Sequence, residues 1–208
     1  MGEPIWTPPA ERVAASNLTR FAAFARDRYG VSTGDYASLW RWSVEQREQF
    51  WPAVVEFAGV LQAPGNAPVL QHRDRMPGAV WFADTRLNYA ENLLARGDDH
   101  PALVFCNERG ARREVSYGEL HAEVGRVAAG LRELGIGPGD RVAGFLPNLP
   151  ESVVAMLATT SLGAAWTSCS PDFGINGVLD RFGQVAPRVL FTADVYVYNG
   201  KAIDSLAP

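Results

Sequence analysis

Between residues 114 and 194 helix signals alternate with short apolar runs, and this alternation constrains the fold more than any other feature of the chain. Near-continuous apolar strands separated by helices call for parallel pairing, with both faces of the sheet covered. The run opens on Ser116-Tyr117-Gly118-Glu119. This is a capping box, in which the hydroxyl and the carboxylate each satisfy a backbone N–H that a first helical turn leaves open. Leu120, Val124, Val127, Ala128, Leu131 and Leu134 then recur at three- and four-residue steps and define one apolar face, with Glu123, Arg126, Arg132 and Glu133 opposite. Gly135, Gly137 and Pro138 supply the stop, and 141–146 has the length and character of a strand. Pro147-Asn148-Leu149-Pro150-Glu151 combines a polar cap candidate, a proline suited to a first turn and an acid at the positive end of the dipole. A second helix is predicted from there to about residue 162. A strand follows over 164–168, a helix over 175–185 that ends before Pro187, and a strand over 188–193. The expected class is α/β, with a helical N-terminal lead followed by part of a parallel sheet with alternating helices.

The lead has a different texture, and we expect two regions, 1–100 and 101–208. Ser16 or Asn17 caps a helix carrying Leu18, Phe21, Phe24 and Ala25, and Gly30 stops it. A second helix is predicted over 36–42. Ser43-Val44-Glu45-Gln46 offers another capping box, for a third helix with Phe50, Val54 and Phe57. Five of the 6 tryptophans, Trp6, Trp40, Trp42, Trp51 and Trp81, lie in this lead and are expected to pack elements together. Residues 62–78, rich in Pro and Gly, read as a loop. The strand 102–106, the turn Asn107-Glu108-Arg109-Gly110 and the strand 113–115 read as a hairpin ahead of Ser116.

Composition narrows the function. The net charge of −4 argues against a general nucleic-acid binder, which draws its affinity from a basic face. The N-terminus lacks the basic leader and apolar block of a secretory signal, so a cytoplasmic protein is expected. The uncharged stretch 152–171 is divided by Gly163 into helix and strand and is not expected to enter a membrane. Cys106 and Cys169 sit far apart in apolar, strand-like contexts and read as buried free thiols. His72, His100 and His121 are dispersed, and no metal site is expected. Gly135-Ile136-Gly137-Pro138-Gly139 follows a helix and precedes a strand, the wrong order for a dinucleotide loop. No G-x-x-x-x-G-K-[ST], G-x-S-x-G or H-E-x-x-H occurs, and Lys201 is the only lysine.

The order of several segments nevertheless resembles one family. Leu39-Trp40-Arg41-Trp42-Ser43-Val44, Trp81-Phe82 with Leu87-Asn88-Tyr89-Ala90-Glu91-Asn92-Leu93-Leu94, the capped helix from Ser116, and Gly139-Asp140-Arg141-Val142 with Pro147-Asn148-Leu149-Pro150-Glu151 are similar to the N-terminal portion of acyl-CoA synthetases of the acetyl-CoA type. These belong to the adenylate-forming enzymes. The segment from Trp166 to Gly174, followed by Leu179-Asp180-Arg181-Phe182, resembles the acetoacetyl-CoA branch, where the acetyl-CoA branch carries a Gly-Gly-Phe-Ser type sequence.

The resemblance implies a ligase that uses ATP, CoA, Mg and acetoacetate. It also implies a Gly/Ser/Thr-rich phosphate loop with lysine, an acidic group for Mg and a lysine from a mobile C-terminal domain, none of which these residues contain. The chain is therefore expected to be a fragment, inactive alone, with an incomplete adenylate-forming domain and no catalytic residue. By position in the family, Tyr198, Asn199, Gly200 and Lys201 correspond to an Arg-x-Gly-Arg segment that binds the phosphates of the CoA nucleotide. The sequence departs from that pattern at Tyr198, and Val197 stands where the acetoacetyl branch has a basic residue. The other reading of these four is the solvated tip of a hairpin. Asp172, Phe173 and Gly174 occupy the matching loop of the preceding unit, where Asp172 reads equally as a helix cap. Two alternatives stand beside the fragment reading: a ligase for acetate or propionate, and a non-catalytic CoA-binding protein with a borrowed fold.

Overall fold

The computed structural model describes residues 4–205. The chain forms two compact units, Met1–Leu87 and Asn88–Pro208.

The first unit is helical: α1 (Ala10–Ala14), α2 (Asn17–Tyr29), α3 (Tyr36–Glu45) and α4 (Arg47–Ala58). Ser16 caps α2, its Oγ accepting the Thr19 N–H at 3.2 Å, and Gly30 closes the helix in the left-handed region at φ 66°. Phe21, Ala25, Leu39, Trp42 and Ala53 form the core of this unit. The Phe21 ring meets those of Phe50 and Phe57 edge-on at 5.8 and 5.2 Å. The capping box expected at Ser43 does not form. Asp35 starts α3, its carboxylate accepting the Ser38 N–H at 2.7 Å, and the helix runs on through Ser43. The Ser43 hydroxyl instead donates to the Trp40 carbonyl at 2.6 Å, the back-bond by which a mid-helix serine satisfies itself. Of the five tryptophans of the lead, Trp42 alone is buried; Trp6, Trp40, Trp51 and Trp81 are exposed, with Trp51 and Trp81 in edge contact at 6.1 Å.

A two-residue ladder follows, β1 (Leu70–Gln71) inside the expected loop 62–78 against β2 (Val80–Trp81) just beyond it. Asp84 ties this loop down. Its carboxylate accepts the Asn66 N–H at 2.8 Å and the Ala67 N–H at 3.0 Å, and these bonds, Ala67 first, hold it below the ordinary carboxylate range. A group with a depressed folded pKa adds stability above its unfolded pKa, about 3.9 for Asp, and loses it as pH falls through the folded value. Thermal melts of wild type and Asp84→Asn should therefore differ at neutral pH, with wild type the more stable, and converge below about pH 4. A gap independent of pH would refute this account of the loop.

The second unit begins with α5 (Tyr89–Leu93) and the hairpin of β3 (Pro101–Cys106) and β4 (Arg112–Ser116). Asn88 caps two helices at once. Its Oδ1 accepts the Glu91 N–H at 3.1 Å, and its Nδ2 donates to the Ser161 carbonyl at 3.0 Å. The capping box at Ser116 is formed in both directions: Ser116 Oγ accepts the Glu119 N–H at 3.2 Å, and Glu119 Oε2 accepts the Ser116 N–H at 2.8 Å. It opens α6 (Tyr117–Glu133), which buries Leu120, Val124, Ala128 and Leu131. Leu134 does not join them. It lies at the C-cap, 61% exposed, and Ile136 takes the core position beyond the turn.

The remaining elements are β5 (Arg141–Phe145), α7 (Pro150–Ser161), β6 (Ala165–Cys169), α8 (Ile175–Val185) and β7 (Val189–Thr192). The three strands form a parallel sheet in the order β6-β5-β7, with Val142 opposite Trp166 and Val189. Alternation along β5 separates the faces. Val142 packs in the cluster of α6 and α7, whereas Ala143 packs with Phe182 of α8. Cys169 is buried on the α8 face, and burial pushes its thiol up. Cys106 departs from expectation: it is exposed, because β3 belongs to a two-stranded ribbon and Cys106 is its last residue before the turn. A last hairpin joins β8 (Val195–Tyr198) to β9 (Lys201–Asp204). No helix among the described residues is long and apolar enough to cross a membrane.

Candidate functional site

The path of the chain through the sheet places a crevice at the carboxyl ends of β5 and β6. From β5 the chain turns through residues 146–149 to α7 on one face, and from β6 it turns through residues 170–174 to α8 on the other. Adjacent strands whose connections leave in opposite directions part at that end, which is where open α/β sheets take their ligands. A cavity of about 500 Å³ lies there. Asn148 and Leu149 line it from the first loop, Ser170 and Asp172 from the second, and Tyr196 and Tyr198 from β8. Glu108 of the β3–β4 turn also borders it.

Asp172 is set by its own loop. The Ser170 hydroxyl donates to Asp172 Oδ2 at 2.9 Å, and the Asp172 N–H donates back to Ser170 Oγ at 3.3 Å. Burial first, then the charge and hydrogen bond of Asp172, raise the half-buried Tyr196 phenol above its ordinary range. The phenol thus stays neutral and a donor at physiological pH. Asp172 is not the cap of α8. That position belongs to Gly174, and no side chain caps the helix. Phe173 turns away from the larger cavity and lies under the Arg181 guanidinium, 4.4 Å from its ring centroid. With Gly174 it lines a second hollow of about 280 Å³ beside α8, and Tyr196 borders both.

Tyr198, Asn199, Gly200 and Lys201 form the β8–β9 turn, with Tyr198 paired to Lys201. Asn199 and Gly200 have φ 50° and 74°. Two left-handed residues in a two-residue loop twist with the strands, and Asn-Gly is the pair that tolerates it. A Cβ at Gly200 would meet nothing within 4 Å, so the glycine serves the backbone conformation rather than a close approach. Its N–H donates to Glu108 Oε1 at 2.9 Å. Lys201 is exposed and has no ion-pair partner among the described residues.

The predicted residues are thus brought to one end of the sheet, but only Asp172 and Tyr198 border the larger cavity. Sequence reasoning missed Glu108, Asn148, Leu149, Ser170 and Tyr196. Asn148 and Leu149 had a usable signal, since they follow the predicted strand at its carboxyl end. Phenol rings and an amide at such a crevice, with Lys201 on the adjoining β8–β9 turn, can stack a base and meet phosphate oxygens. Among the described residues no group of three or more His, Cys, Asp or Glu is placed to hold a metal ion.

Residues 90–207 match the AMP-binding enzyme family, and residues 36–93 match the acetyl-coenzyme A synthetase N-terminus. The chain belongs to the AMP-binding enzymes. Among relatives of this AMP-binding chain, an acetoacetyl-coenzyme A synthetase of Rhizobium meliloti is 45% identical over 97% of the chain and 31% of its own length. A malonamoyl-CoA synthetase of Penicillium aethiopicum is 37% identical over 96% of the chain and 28% of its own length. The solved structure of an acetoacetyl-CoA synthetase from Streptomyces lividans superposes with a TM-score of 0.91 at 48% identity, over 98% of this chain and 32% of that one. The chain therefore spans about a third of the length of these relatives.

Proposed function

We propose that this AMP-binding chain is the N-terminal portion of an acetoacetate-CoA ligase, and that its crevice receives the nucleotide end of CoA. The 48% identity to the Streptomyces lividans structure over 98% of the chain is the observation that carries the reading. In the reaction, a carboxylate oxygen of acetoacetate attacks the α-phosphorus of ATP and pyrophosphate leaves. The CoA thiol then attacks the acyl carbon, AMP leaves, and the thiol proton is released. Adenylation requires donors and a cation on the triphosphate, and an acidic group for Mg. No described cluster fits Mg, and the sequence has no Gly/Ser/Thr-rich loop with lysine, so no adenylation step is assigned to these residues. Tyr198, Asn199, Gly200 and Lys201, with Asp172, Phe173 and Gly174 in the neighbouring loop, are the proposed CoA contacts. The soluble cosubstrates fit a cytoplasmic enzyme.

The relative bearing the malonamoyl name adds a second point. Malonamate and acetoacetate share a carboxylate with a carbonyl one methylene away and differ by an amino group for a methyl. We infer that the acid is a short 3-carbonyl carboxylate, rather than acetate or propionate.

Exchange of labelled pyrophosphate into ATP tests this. The 208 residues alone should give acetoacetate-dependent exchange no faster than a protein-free control. Joined to the remaining portion of the Streptomyces lividans relative, they should support exchange with acetoacetate or malonamate, and at least about tenfold less with acetate. Turnover by the chain alone would overturn the fragment reading, and a preference for acetate would favour an acetate or propionate ligase. Tight CoA binding with an inactive fusion would favour a non-catalytic CoA-binding protein.

A further inference from the structure

Glu108 plays no part in the proposed reaction, yet it occupies a backbone donor of the β8–β9 turn. Its Oε1 accepts the Gly200 N–H at 2.9 Å across 92 residues of sequence and so links the tips of two hairpins. The left-handed conformations of Asn199 and Gly200 present that amide at the turn, and the next residue is the exposed Lys201. An amide offered by a turn beside a cation is a concavity that suits phosphate oxygens. In this chain a carboxylate already fills it. Glu108 is itself exposed, so it can return to water when displaced.

We propose that Glu108 is a specificity-determining residue of the β8–β9 turn: its carboxylate holds the anion position at Gly200, and a phosphate group must displace it to reach that amide and Lys201. Resting on the CoA reading above, the phosphate in question is one of the CoA nucleotide. Exchanging a carboxylate for a phosphate replaces one charge-assisted hydrogen bond by another, and the net gain is small. The turn therefore discriminates against weak single anions and accepts a group that also engages Lys201. Without Glu108 the donor stands open and one repelling charge is gone.

The test is a titration of the 208-residue chain with inorganic pyrophosphate at low ionic strength, where surface charges are least screened, read at the Gly200 amide by nitrogen-15 NMR. Glu108→Ala should bind pyrophosphate at Gly200 about tenfold more tightly than wild type, and Glu108→Gln, which keeps a neutral acceptor, should fall between them. Adding Lys201→Ala should remove the gain. Equal affinity in wild type and both Glu108 variants, or a response confined to residues away from the turn, overturns the proposal. Should the Ala variant lose its dispersed spectrum, the Gln variant decides alone by the same comparison. CoA in place of pyrophosphate separates the two readings. A gain with pyrophosphate but no response to CoA keeps the role of Glu108 and rejects the CoA assignment. A response to CoA in wild type that no Glu108 substitution strengthens does the reverse.

Discussion

Replacing Leu157 by Ala lowers the unfolding free energy of the second unit by about 2–5 kcal/mol. Leu157 is 2% exposed on α7 and packs among the side chains that α6 and β5 turn inward, Val124, Leu131 and Val142 among them. Truncation removes about three carbons from water-free surroundings and leaves a hole that two packed helices and a strand cannot close. Leu179→Ala is the matching control. That side chain is 66% exposed on α8, and its loss should change stability by no more than about 0.5 kcal/mol. Urea unfolding followed by circular dichroism gives both values. A loss below about 1 kcal/mol at Leu157 would place the core elsewhere.

Gly144→Ala is the second large effect, and its sign runs against strand preference. A glycine inside a strand ordinarily gains about 0.5–1 kcal/mol on becoming Ala, through lost freedom of the unfolded chain. Gly144, however, is buried in the central strand, and a Cβ there would stand 2.6 and 2.7 Å from two atoms of the Trp166 ring. That ring is held in turn by Phe191, centroid to centroid at 6.1 Å, and cannot swing aside without disturbing β7. Overpacking should cost about 1–3 kcal/mol. Trp166→Leu alone should also destabilise, while the double variant should recover part of the Gly144→Ala loss, as coupled neighbours do. Additive losses would mean that the ring and the glycine do not share one space.

The elements of the sheet were legible because local chemistry and long-range packing agree there. Ser116 and Glu119 cap a helix in any context, and the apolar faces of α6 and α7 repeat at the period their burial requires. Ser43 shows where local chemistry fails: a sound capping pattern lost to Leu39 and Trp42, whose burial carries α3 past it. Leu134 shows the same limit at a helix end, where one step of periodicity no longer points inward. The site was less legible for a topological reason. Its walls come from two loops, a hairpin turn and a late strand, and the bond from Gly200 to Glu108 crosses 92 residues that no periodic pattern connects. The resemblance pointed to Tyr198, Asn199, Gly200 and Lys201 by position in the family, whereas the contact of Glu108 with Gly200 exists only in three dimensions.

Arg141 begins β5, yet its guanidinium reaches the far end of α8. Nε donates to the Val185 carbonyl at 3.0 Å and Nη2 to the Ala186 carbonyl at 3.2 Å, while Nη1 donates to Gly139 at 3.1 Å. No side chain caps the start of α8, and no basic residue of its own sits in its last turn. The helix closes on Ala186 in the left-handed region, whose N–H donates to the Phe182 carbonyl, and its last carbonyls are left to Arg141. Its terminal carbonyls thus meet a residue 44 positions earlier, at the start of the central strand. These bonds close a loop of 44 residues between β5 and the end of α8, at the entropic cost such a loop carries. The start of the strand and the end of the helix are thereby tied together, so that opening either one leaves polar groups of the other without a partner.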